Sequence, residues 1–306
     1  MNIFLIKSER HFNYLIKLKD INFILRFSKE KKLNKKRQTL RSEYFALKTL
    51  SELKISPKPY YYFRGNKTQS PFLLIEYMQG KNVNFLNSSR IKLVASEMAK
   101  LHKISESHKL TCIKKISIKV RLEKDLSKRA DFLVSKISNP LLFKNAAAIH
   151  QIYSIIKKFK FTRASLVLTH GDISKENILL NKGKLIFIDF ETAALSEPEW
   201  DIATFFSRAK LDSIEKTLFL KHYNQNSFGK IKMENVLKFE SVKIFDRLLW
   251  VLEELIAVKT SIKNDSEAKS QYLNSFKELL EEDSGSTSIS KSLKLLKQNF
   301  KFFKKS

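Results

Sequence analysis

Several residue types are scarce in this sequence, and each scarcity excludes a class of protein. Cys112 is the single cysteine among 306 residues, so an intrachain disulfide cannot form and a reducing compartment is expected. The six histidines show no metal-ligand spacing with cysteine, aspartate or glutamate. No apolar run is long enough to span a bilayer, and charge interrupts the first twelve residues too soon for a signal peptide. We therefore expect a cytoplasmic protein.

Acidic residues are scarce relative to basic ones. The chain has 58 lysine and arginine residues against 31 aspartate and glutamate residues, which gives a formal net charge of +27. Such a charge attracts anions: nucleotides, RNA or anionic lipid. A plainer interpretation is that lysine serves as the ordinary surface residue, in which case the charge identifies no partner. With 43% apolar residues, the chain can bury a substantial core in one large domain or two lobes.

The hydrophobic pattern changes in the course of the chain. In the first 75 residues, β-rich runs surround one helix, which begins near Leu40 and ends before the prolines at 57 and 59. After Gly80 helical spacing dominates, interrupted by two short β-like runs between about residues 164 and 190. The sequence therefore predicts an α+β fold, with a small β-rich N-terminal lobe at 1–79 and a larger α-rich lobe at 80–283.

The end of the chain has a different composition. The polar segment 281–292 is typical of a linker, and the residues after it place four apolar side chains on one side of a helix, among many lysines. Such a basic amphipathic helix either docks on its own domain or lies on an anionic membrane surface, and the sequence leaves both open. We assign residues 284–306 to this linker and tail.

The clearest chemical signal is the stretch LTHGDISKENILL, which precedes an apolar run ending in IDFE. Asp172 stands five residues before Asn177, and Asp189 ends the second run. Carboxylate and amide oxygens at neighbouring strand ends suit Mg²⁺ together with substrate phosphates. We predict kinase-type phosphoryl transfer, in which Asp172 orients an acceptor hydroxyl and takes its proton while Asn177 and Asp189 hold the metal. His170 could act as a general base, but we expect it to hydrogen-bond within the loop.

A phosphoryl donor also needs a cation that is held in place over its phosphates. Arg26 lies in the β-like run NFILRFS, and Glu43 lies in the helix that follows. An ion pair from strand to helix would hold the guanidinium over the phosphates. Taken alone, each residue would more often be a solvated surface charge, but their order ahead of the Asp172 segment favours the functional interpretation.

These segments, together with FLLIEYMQGKNV and EPEWDIATFF, resemble the aminoglycoside phosphotransferase and choline kinase superfamily over about residues 5–210. The IDFE segment is most similar to the choline and ethanolamine kinase branch. The resemblance implies a protein-kinase-like two-lobe fold with an antiparallel N-terminal sheet, and ATP and Mg²⁺ as cofactors. It also implies the roles predicted above for the two aspartates, the asparagine and the arginine–glutamate pair.

The resemblance assigns further positions to nucleotide binding and to the catalytic loop. It places the adenine-binding hinge on Glu76, Tyr77 and Met78, a brace for the catalytic loop on Asp201, and a phosphate-binding loop on the segment KSERHFNY. The family's loop usually contains glycine, whereas Ser8 stands at one such position here. Backbone amides can then approach phosphate less closely, although Ser8 remains our candidate nucleotide contact.

Four residues are candidates for substrate recognition. Glu191, in IDFE, is assigned to the acceptor side of the site. The helix RLLWVLEEL resembles the choline kinase helix that carries part of an aromatic cage, where Trp250 matches one aromatic position and Glu253 replaces another. Tyr272 would supply another wall. A cage binds by cation–π attraction, and a carboxylate beside it favours a protonated amine. The alternative is that Trp250 packs in the core while Glu253 is solvated.

Other functional classes remain as alternatives. A protein kinase would need a long activation segment, and only nine residues separate Asp189 from Glu199, so a small hydroxyl compound such as an amino alcohol or an aminoglycoside fits better. A kinase of a membrane-surface sugar or lipid head group is a second candidate. A third is a basic protein that binds RNA or membrane on an inactive kinase scaffold, although such a scaffold would not need the metal-binding residues. The sequence does not indicate an oligomeric state.

Overall fold

The structure is a computed structural model that describes residues 2–6, 11–19, 21–29, 33–83, 87–104, 112–136, 140–161 and 165–260. Ser8, Tyr272 and the predicted linker and tail lie outside the described residues. Contacts divide the described residues into two compact units, one of residues 2–116 and 165–231 and the other of residues 117–161 and 232–260.

The strands lie in the first unit. They are β1 (Asn2–Ile6), β2 (His11–Lys17), β3 (Asn22–Ser28), β4 (Pro59–Phe63), β5 (Phe72–Glu76), β6 (Lys81–Asn82), β7 (Val167–Thr169), β8 (Ile178–Asn181), β9 (Lys184–Phe187) and β10 (Ala194–Ser196). The first five form an antiparallel sheet in the order β1-β2-β3-β5-β4. Isoleucine, phenylalanine and tyrosine fill these strands and favour extended backbone. The antiparallel β-rich N-terminal part is thereby confirmed, while the lobe boundary at residue 79 stays a prediction.

The helices are α1 (Leu33–Leu50), α2 (Ser88–Lys103), α3 (Ile118–Val120), α4 (Ser127–Lys136), α5 (Pro140–Lys157), α6 (Glu199–Ala209), α7 (Ser213–Asn226) and α8 (Met233–Thr260). A π-helical segment, Arg121–Leu126, joins α3 to α4. Helix dominates after residue 87, which confirms the predicted α-rich C-terminal part. Within the described ranges, every helix is too short or too polar to cross a membrane.

Helix α1 packs on the five-stranded sheet through one face. Leu40, Glu43, Leu47 and Leu50 recur at helical spacing, and all four are 0–1% exposed. The helix begins seven residues earlier than the apolar periodicity indicated, because residues 34–39 are polar and carry no hydrophobic signal. The one acid in this buried set faces β3, where it meets Arg26.

Two small sheets hold the segment that the sequence singled out. Strand β7 pairs with β10, and β8 pairs with β9 and β6, so the residues between β7 and β8 form a loop anchored at both ends. Gly171 in this loop has φ of +86°, and a Cβ there would lie 2.5 Å from the carbonyl oxygen of Thr192. Only glycine fits, since both the left-handed backbone and the close approach exclude a side chain.

The second unit is built from α3, α4, α5 and α8. Leu133, Ile149 and Ile152 are fully buried or nearly so, and the rings of Tyr153 and Phe245 stack with centroids 6.3 Å apart. The Tyr153 hydroxyl donates to the carbonyl of Leu122 at 3.0 Å, which ties α5 to the π-helical segment.

Candidate active site

The loop between β7 and β8 is organised around Asn177. The Asn177 side-chain N–H donates to the backbone carbonyl of Asp172 at 2.9 Å, and the Asn177 carbonyl accepts from the Ile188 N–H at 3.0 Å. The first bond ties the side chain of Asn177 to the backbone of the loop. The second joins the loop to the residue before Asp189. The structure therefore joins the loop that carries Asp172 and Asn177 to the residue before Asp189, and the joint role of the three side chains in phosphoryl transfer stays a prediction.

A buried carboxylate braces the start of this loop. Asp201 is 0% exposed and accepts hydrogen bonds from the N–H groups of His170 (2.7 Å) and Gly171 (2.8 Å) and from Nε2 of His102 (3.1 Å). Burial by itself would raise the pKa of Asp201, but the hydrogen bond and charge of His102, with His170 and the Gly171 N–H, lower it. The other His102 nitrogen lies 2.7 Å from the hydroxyl of Tyr223, so the brace extends to α7.

His170 is enclosed by the loop. It is 0% exposed, its Nε2 lies 2.8 Å from the carbonyl oxygen of Ile188, and its ring lies 4.5 Å from that of Phe190. Its Nδ1 accepts a longer bond, 3.4 Å, from the Asp172 N–H. Both ring nitrogens are thus used within the loop, which is the structural arrangement expected from the sequence rather than that of a general base.

Arg26 forms the second part of the site. Its Nη1 donates to Glu43 Oε1 at 2.5 Å and to Asp189 Oδ1 at 2.8 Å, and its Nε donates to Asn13 Oδ1 at 3.0 Å. Asn13 stands opposite Arg26 in the β2–β3 register, which explains why that side chain is within reach. The predicted strand-to-helix ion pair is present, and it also reaches the aspartate assigned to the metal.

Burial sets the electrostatics of this cluster. The side chains of Arg26 and Glu43 are 9% and 1% exposed, whereas that of Asp189 is 35% exposed. Desolvation raises the pKa of Glu43 to about 7, against the opposing charge of Arg26 and with added repulsion from Asp189. Burial would lower the pKa of Arg26, but the two carboxylates raise it, so the guanidinium stays charged.

Asp189 has a backbone conformation that is uncommon for a residue with a side chain. Its φ and ψ are 70° and 62°, in the left-handed region, immediately before the 3₁₀ turn Phe190–Thr192. Such a conformation in a non-glycine residue is held by its surroundings. Here it accompanies a carboxylate aimed at Arg26, with Asn177 linked to the preceding residue. Together with the Asn177 amide oxygen, this partly exposed carboxylate fits a divalent cation of the Mg²⁺ class.

Two neighbours of the site were missed in the sequence. Arg208, on α6, donates from Nη2 to Asp172 Oδ1 at 3.2 Å. His11, at the start of β2, lies with its Nδ1 3.1 Å from Glu191 Oε2. Arg208 lies seven residues after Asp201, two helical turns along the same face, so the assigned brace could have pointed to it. The pairing of His11 with Glu191 has no local signal in the sequence.

The predicted hinge follows β5 directly. The N–H of Glu76 donates to the Lys58 carbonyl at 2.9 Å, and the N–H of Tyr77 donates to the Asn22 carbonyl at 3.1 Å. These two amides are therefore used by the protein itself. The N–H groups of Glu76 and Tyr77 are therefore no longer candidates for binding adenine. The remaining candidates are the Met78 N–H and the carbonyl groups of the three hinge residues.

Trp250 and Glu253 lie on α8, in the second unit. Trp250 is 36% exposed, so it is not fully buried in the core, and its role in substrate binding stays a prediction. Glu253 is held by both carboxylate oxygens, which accept from Nε (2.8 Å) and Nη2 (3.0 Å) of Arg129, while Nη1 of Arg129 donates to Asp246. Glu253 is thus not merely solvated. Its negative charge is already paired with the guanidinium of Arg129 in a bidentate ion pair.

Comparison with known proteins is consistent with this geometry. The family model for choline/ethanolamine kinase matches residues 3–243. The protein LicA of Haemophilus influenzae is 31% identical over 123 residues, which are 36% of this chain and 36% of that protein. The sequence match thus spans little more than a third of the length of this relative.

Solved structures share the fold. The choline kinase LicA of Streptococcus pneumoniae has a TM-score of 0.63 at 18% identity, with 91% of this chain and 93% of its own covered. The ethanolamine kinase of Plasmodium vivax gives 0.63 at 18% identity over 95% of this chain and 84% of its own. The GDP complex of aminoglycoside 2'-phosphotransferase-IIIa gives 0.64 at 18% identity over 93% of both. The kinase-like fold is thereby confirmed, and because the family model spans most of the sequence, this chain belongs to the choline/ethanolamine kinase family.

Proposed function

We propose that the chain is an ATP-dependent kinase that transfers the γ-phosphate to the hydroxyl of a small molecule. The observation that carries this proposal is one continuous polar network. It runs from Arg26 through Asp189 to Ile188, and from there through Asn177 to Asp172. This network links the segments that carry the candidate phosphate-binding cation, the two metal-ligand candidates and the candidate base, and so supports the positioning that phosphoryl transfer requires.

In this mechanism, Asp172 accepts a hydrogen bond from the acceptor hydroxyl, orients the oxygen toward the γ-phosphorus and takes the proton late in the transfer. Asn177 and Asp189 would hold Mg²⁺, which neutralises charge on the phosphates when bound. Arg26 presents its guanidinium to the phosphates, fixed by Glu43 and Asn13. His170 and Asp201 hold the loop in shape.

Arg208 adds a positioning role that the sequence did not suggest. The Arg208 side chain is 41% exposed and contacts Asp172 Oδ1, while the Asp172 side chain is 33% exposed. This contact restricts the rotation of the carboxylate.

For the acceptor we propose an amino alcohol of the choline or ethanolamine type. Family membership and the choline and ethanolamine kinases with the same fold support this class, and the aminoglycoside enzyme supports a related polyhydroxyl amine. The exposed face of Trp250 is suited to a cationic group by cation–π attraction. Because Arg129 already matches Glu253, we assign the selection of the amine to the aromatic ring rather than to this carboxylate.

The test is an ATP-consumption screen over choline, ethanolamine, aminoglycosides and simple sugars, with the phosphorylated product identified by mass spectrometry. We expect acceptor-dependent turnover with an amino alcohol, and a loss of about 10³-fold in Asp172→Asn, since a positioned base contributes about that much. Asp131→Asn, at an exposed position on α4, is the matched control and should retain wild-type turnover. Turnover in Asp172→Asn equal to that of the control would overturn the assignment.

A further inference from the structure

A histidine and two carboxylates meet beside the proposed magnesium site. His11 opens β2, Asp189 precedes the 3₁₀ turn Phe190–Thr192, and Glu191 lies within it. The ligand atoms of these three side chains all lie within 4.8 Å of one another. The side chains of His11 and Glu191 are 3% and 10% exposed, whereas that of Asp189 is 35% exposed, so protein encloses two of the three ligands and solvent reaches the third.

We propose that His11, Glu191 and Asp189 form a second cation site, which takes a divalent transition metal of the Mn²⁺ class. The proposal rests on the proposed function in one respect, because Asp189 also belongs to the magnesium site. Its two carboxylate oxygens allow it to serve both ions, as shared carboxylates do in sites where two metals lie about 3.5–4 Å apart.

The composition of the cluster sets the class of metal. Mg²⁺ prefers an all-oxygen shell with several waters, whereas imidazole suits metals later in the first transition series. One imidazole nitrogen with two carboxylates is therefore a better site for a divalent transition metal than for Mg²⁺, and Mn²⁺, which shares the preference of Mg²⁺ for oxygen, suits a site in which carboxylates outnumber nitrogen. Water and a nucleotide phosphate oxygen would complete the coordination. The site differs from the magnesium site in its nitrogen ligand.

Local charge favours a cation at this position. Arg26 pairs with Glu43 and Asp189, while Glu191 pairs with His11, so these residues carry three carboxylates and one guanidinium, with two negative charges in excess when all are ionised and His11 is neutral. The repulsion is felt within the cluster, since Asp189 and Glu191 both contribute to raising the pKa of Glu43. A divalent ion between His11 and the two carboxylates would balance this excess.

The competing explanation is that His11 only donates a hydrogen bond to Glu191 and so ties β2 to the turn after β9. The two explanations predict different magnetic coupling between bound Mn²⁺ and the nitrogen of His11. A metal ligand transfers spin density to its nitrogen, and a hydrogen-bond donor in the same place does not. The distinction can be made without nucleotide, acceptor or turnover.

The experiment is Mn²⁺ binding to the metal-free full chain, followed by electron paramagnetic resonance with pulsed detection of nitrogen couplings. For the wild type we expect bound Mn²⁺ with an imidazole nitrogen coupling, and an affinity at least tenfold above that for Mg²⁺ in competition. His11→Ala and His11→Asn should lose the nitrogen coupling and at least tenfold in Mn²⁺ affinity. His11→Asn can still donate a hydrogen bond to Glu191, so it separates ligation from tethering.

Controls keep the outcomes distinct. His150→Ala, at an exposed position on α5, should leave both the coupling and the affinity as in the wild type. Circular dichroism melting verifies that each variant is folded, and if His11→Ala fails to fold, His11→Asn decides.

Bound Mn²⁺ without imidazole coupling, or coupling retained in His11→Asn, overturns the second site. Magnesium-dependent turnover in that case leaves the proposed kinase activity standing, whereas imidazole coupling without any turnover would remove the kinase activity and keep the metal site.

Discussion

Two arginines in this molecule each bridge two carboxylates, and they differ in their exposure to water. In the first unit Arg26 joins Glu43 and Asp189 with its side chain 9% exposed, and in the second unit Arg129 joins Asp246 and Glu253 with its side chain 27% exposed. The same contact therefore has different energetic consequences. Desolvated charges are costly to bury and costly to leave unpaired, while solvent weakens the partly exposed cluster.

The comparison separates a site that is held ready for a ligand from one that ties helices together. The Arg26 cluster includes a glutamate whose pKa is raised by burial and an aspartate with left-handed backbone. Both features lower the stability of the folded protein, and such features are concentrated at functional sites. The Arg129 cluster links α4 to α8 through a bidentate pair with ordinary geometry. Burial rather than the number of ion pairs therefore identifies the candidate active site.

The largest expected effect comes from removing each arginine in turn. Arg26→Ala should lower kcat/KM for ATP by about 10²–10³-fold, because a fixed cation over the phosphates is lost. The same change should cost about 3–5 kcal/mol of stability, since Glu43 is left buried without its partner. Arg129→Ala should cost about 1 kcal/mol and change kcat/KM less than tenfold. Steady-state kinetics and urea unfolding measure the two quantities.

Arg26→Lys sharpens this comparison. A lysine keeps the charge but cannot donate to Asn13, Glu43 and Asp189 with one fixed planar group. It should recover most of the stability and only part of the activity. Equal losses of activity in Arg26→Ala and Arg129→Ala would show that burial does not distinguish the two clusters.

A smaller effect is expected in the pH dependence of stability. The pKa of Glu43 is about 7 in the folded protein against an ordinary value of 4.5, so Glu43 holds its proton in the folded state at pH values where the unfolded chain has lost it. Stability should therefore fall as pH rises from about 4.5 to 7, by about 3 kcal/mol for this group. Glu43→Gln should remove that decline in urea-unfolding free energies measured across this range.

The matched control is Glu253→Gln in the exposed cluster. The Glu253 side chain is 26% exposed, and water screens its charge, so the pH slope should change far less than in Glu43→Gln. Burial would not control the ionisation of Glu43 if the unfolding free energy of Glu43→Gln declined with pH as steeply as that of the wild type. The same conclusion would follow if the two variants changed this decline equally.

The sequence predicted those parts of the site that follow from local pattern. Asp172 and Asn177 stand on one short loop, so their spacing alone placed them together, and the apolar run before Asp189 marked a strand end. The pairing of Arg26 with Glu43 was predicted because a phosphoryl donor needs a cation held in place, and because a strand arginine and a helix glutamate stand in order ahead of the Asp172 segment. The antiparallel sheet followed from the same local patterns.

The contacts that were missed depend on tertiary packing. His11 and Glu191 lie in the two separate chain segments that make up the first unit. The spacing of histidines along the sequence therefore showed no metal-ligand pattern, although the fold brings these side chains together. Arg129 and Glu253 likewise meet only because α4 packs on α8, which changed the interpretation of Glu253. Charge type alone could not pair these residues, because this chain offers 58 basic partners for 31 acids.

The most direct test of the account is the Mg²⁺ dependence of ATP binding, measured by calorimetry on wild type and Asp189→Asn. If Asp189 and Asn177 share a metal beside Arg26, the wild type should bind ATP at least tenfold more tightly with Mg²⁺ than with a chelator, and Asp189→Asn should lose that gain while remaining folded. An Asp189→Asn variant that keeps the full Mg²⁺-dependent gain would contradict the account.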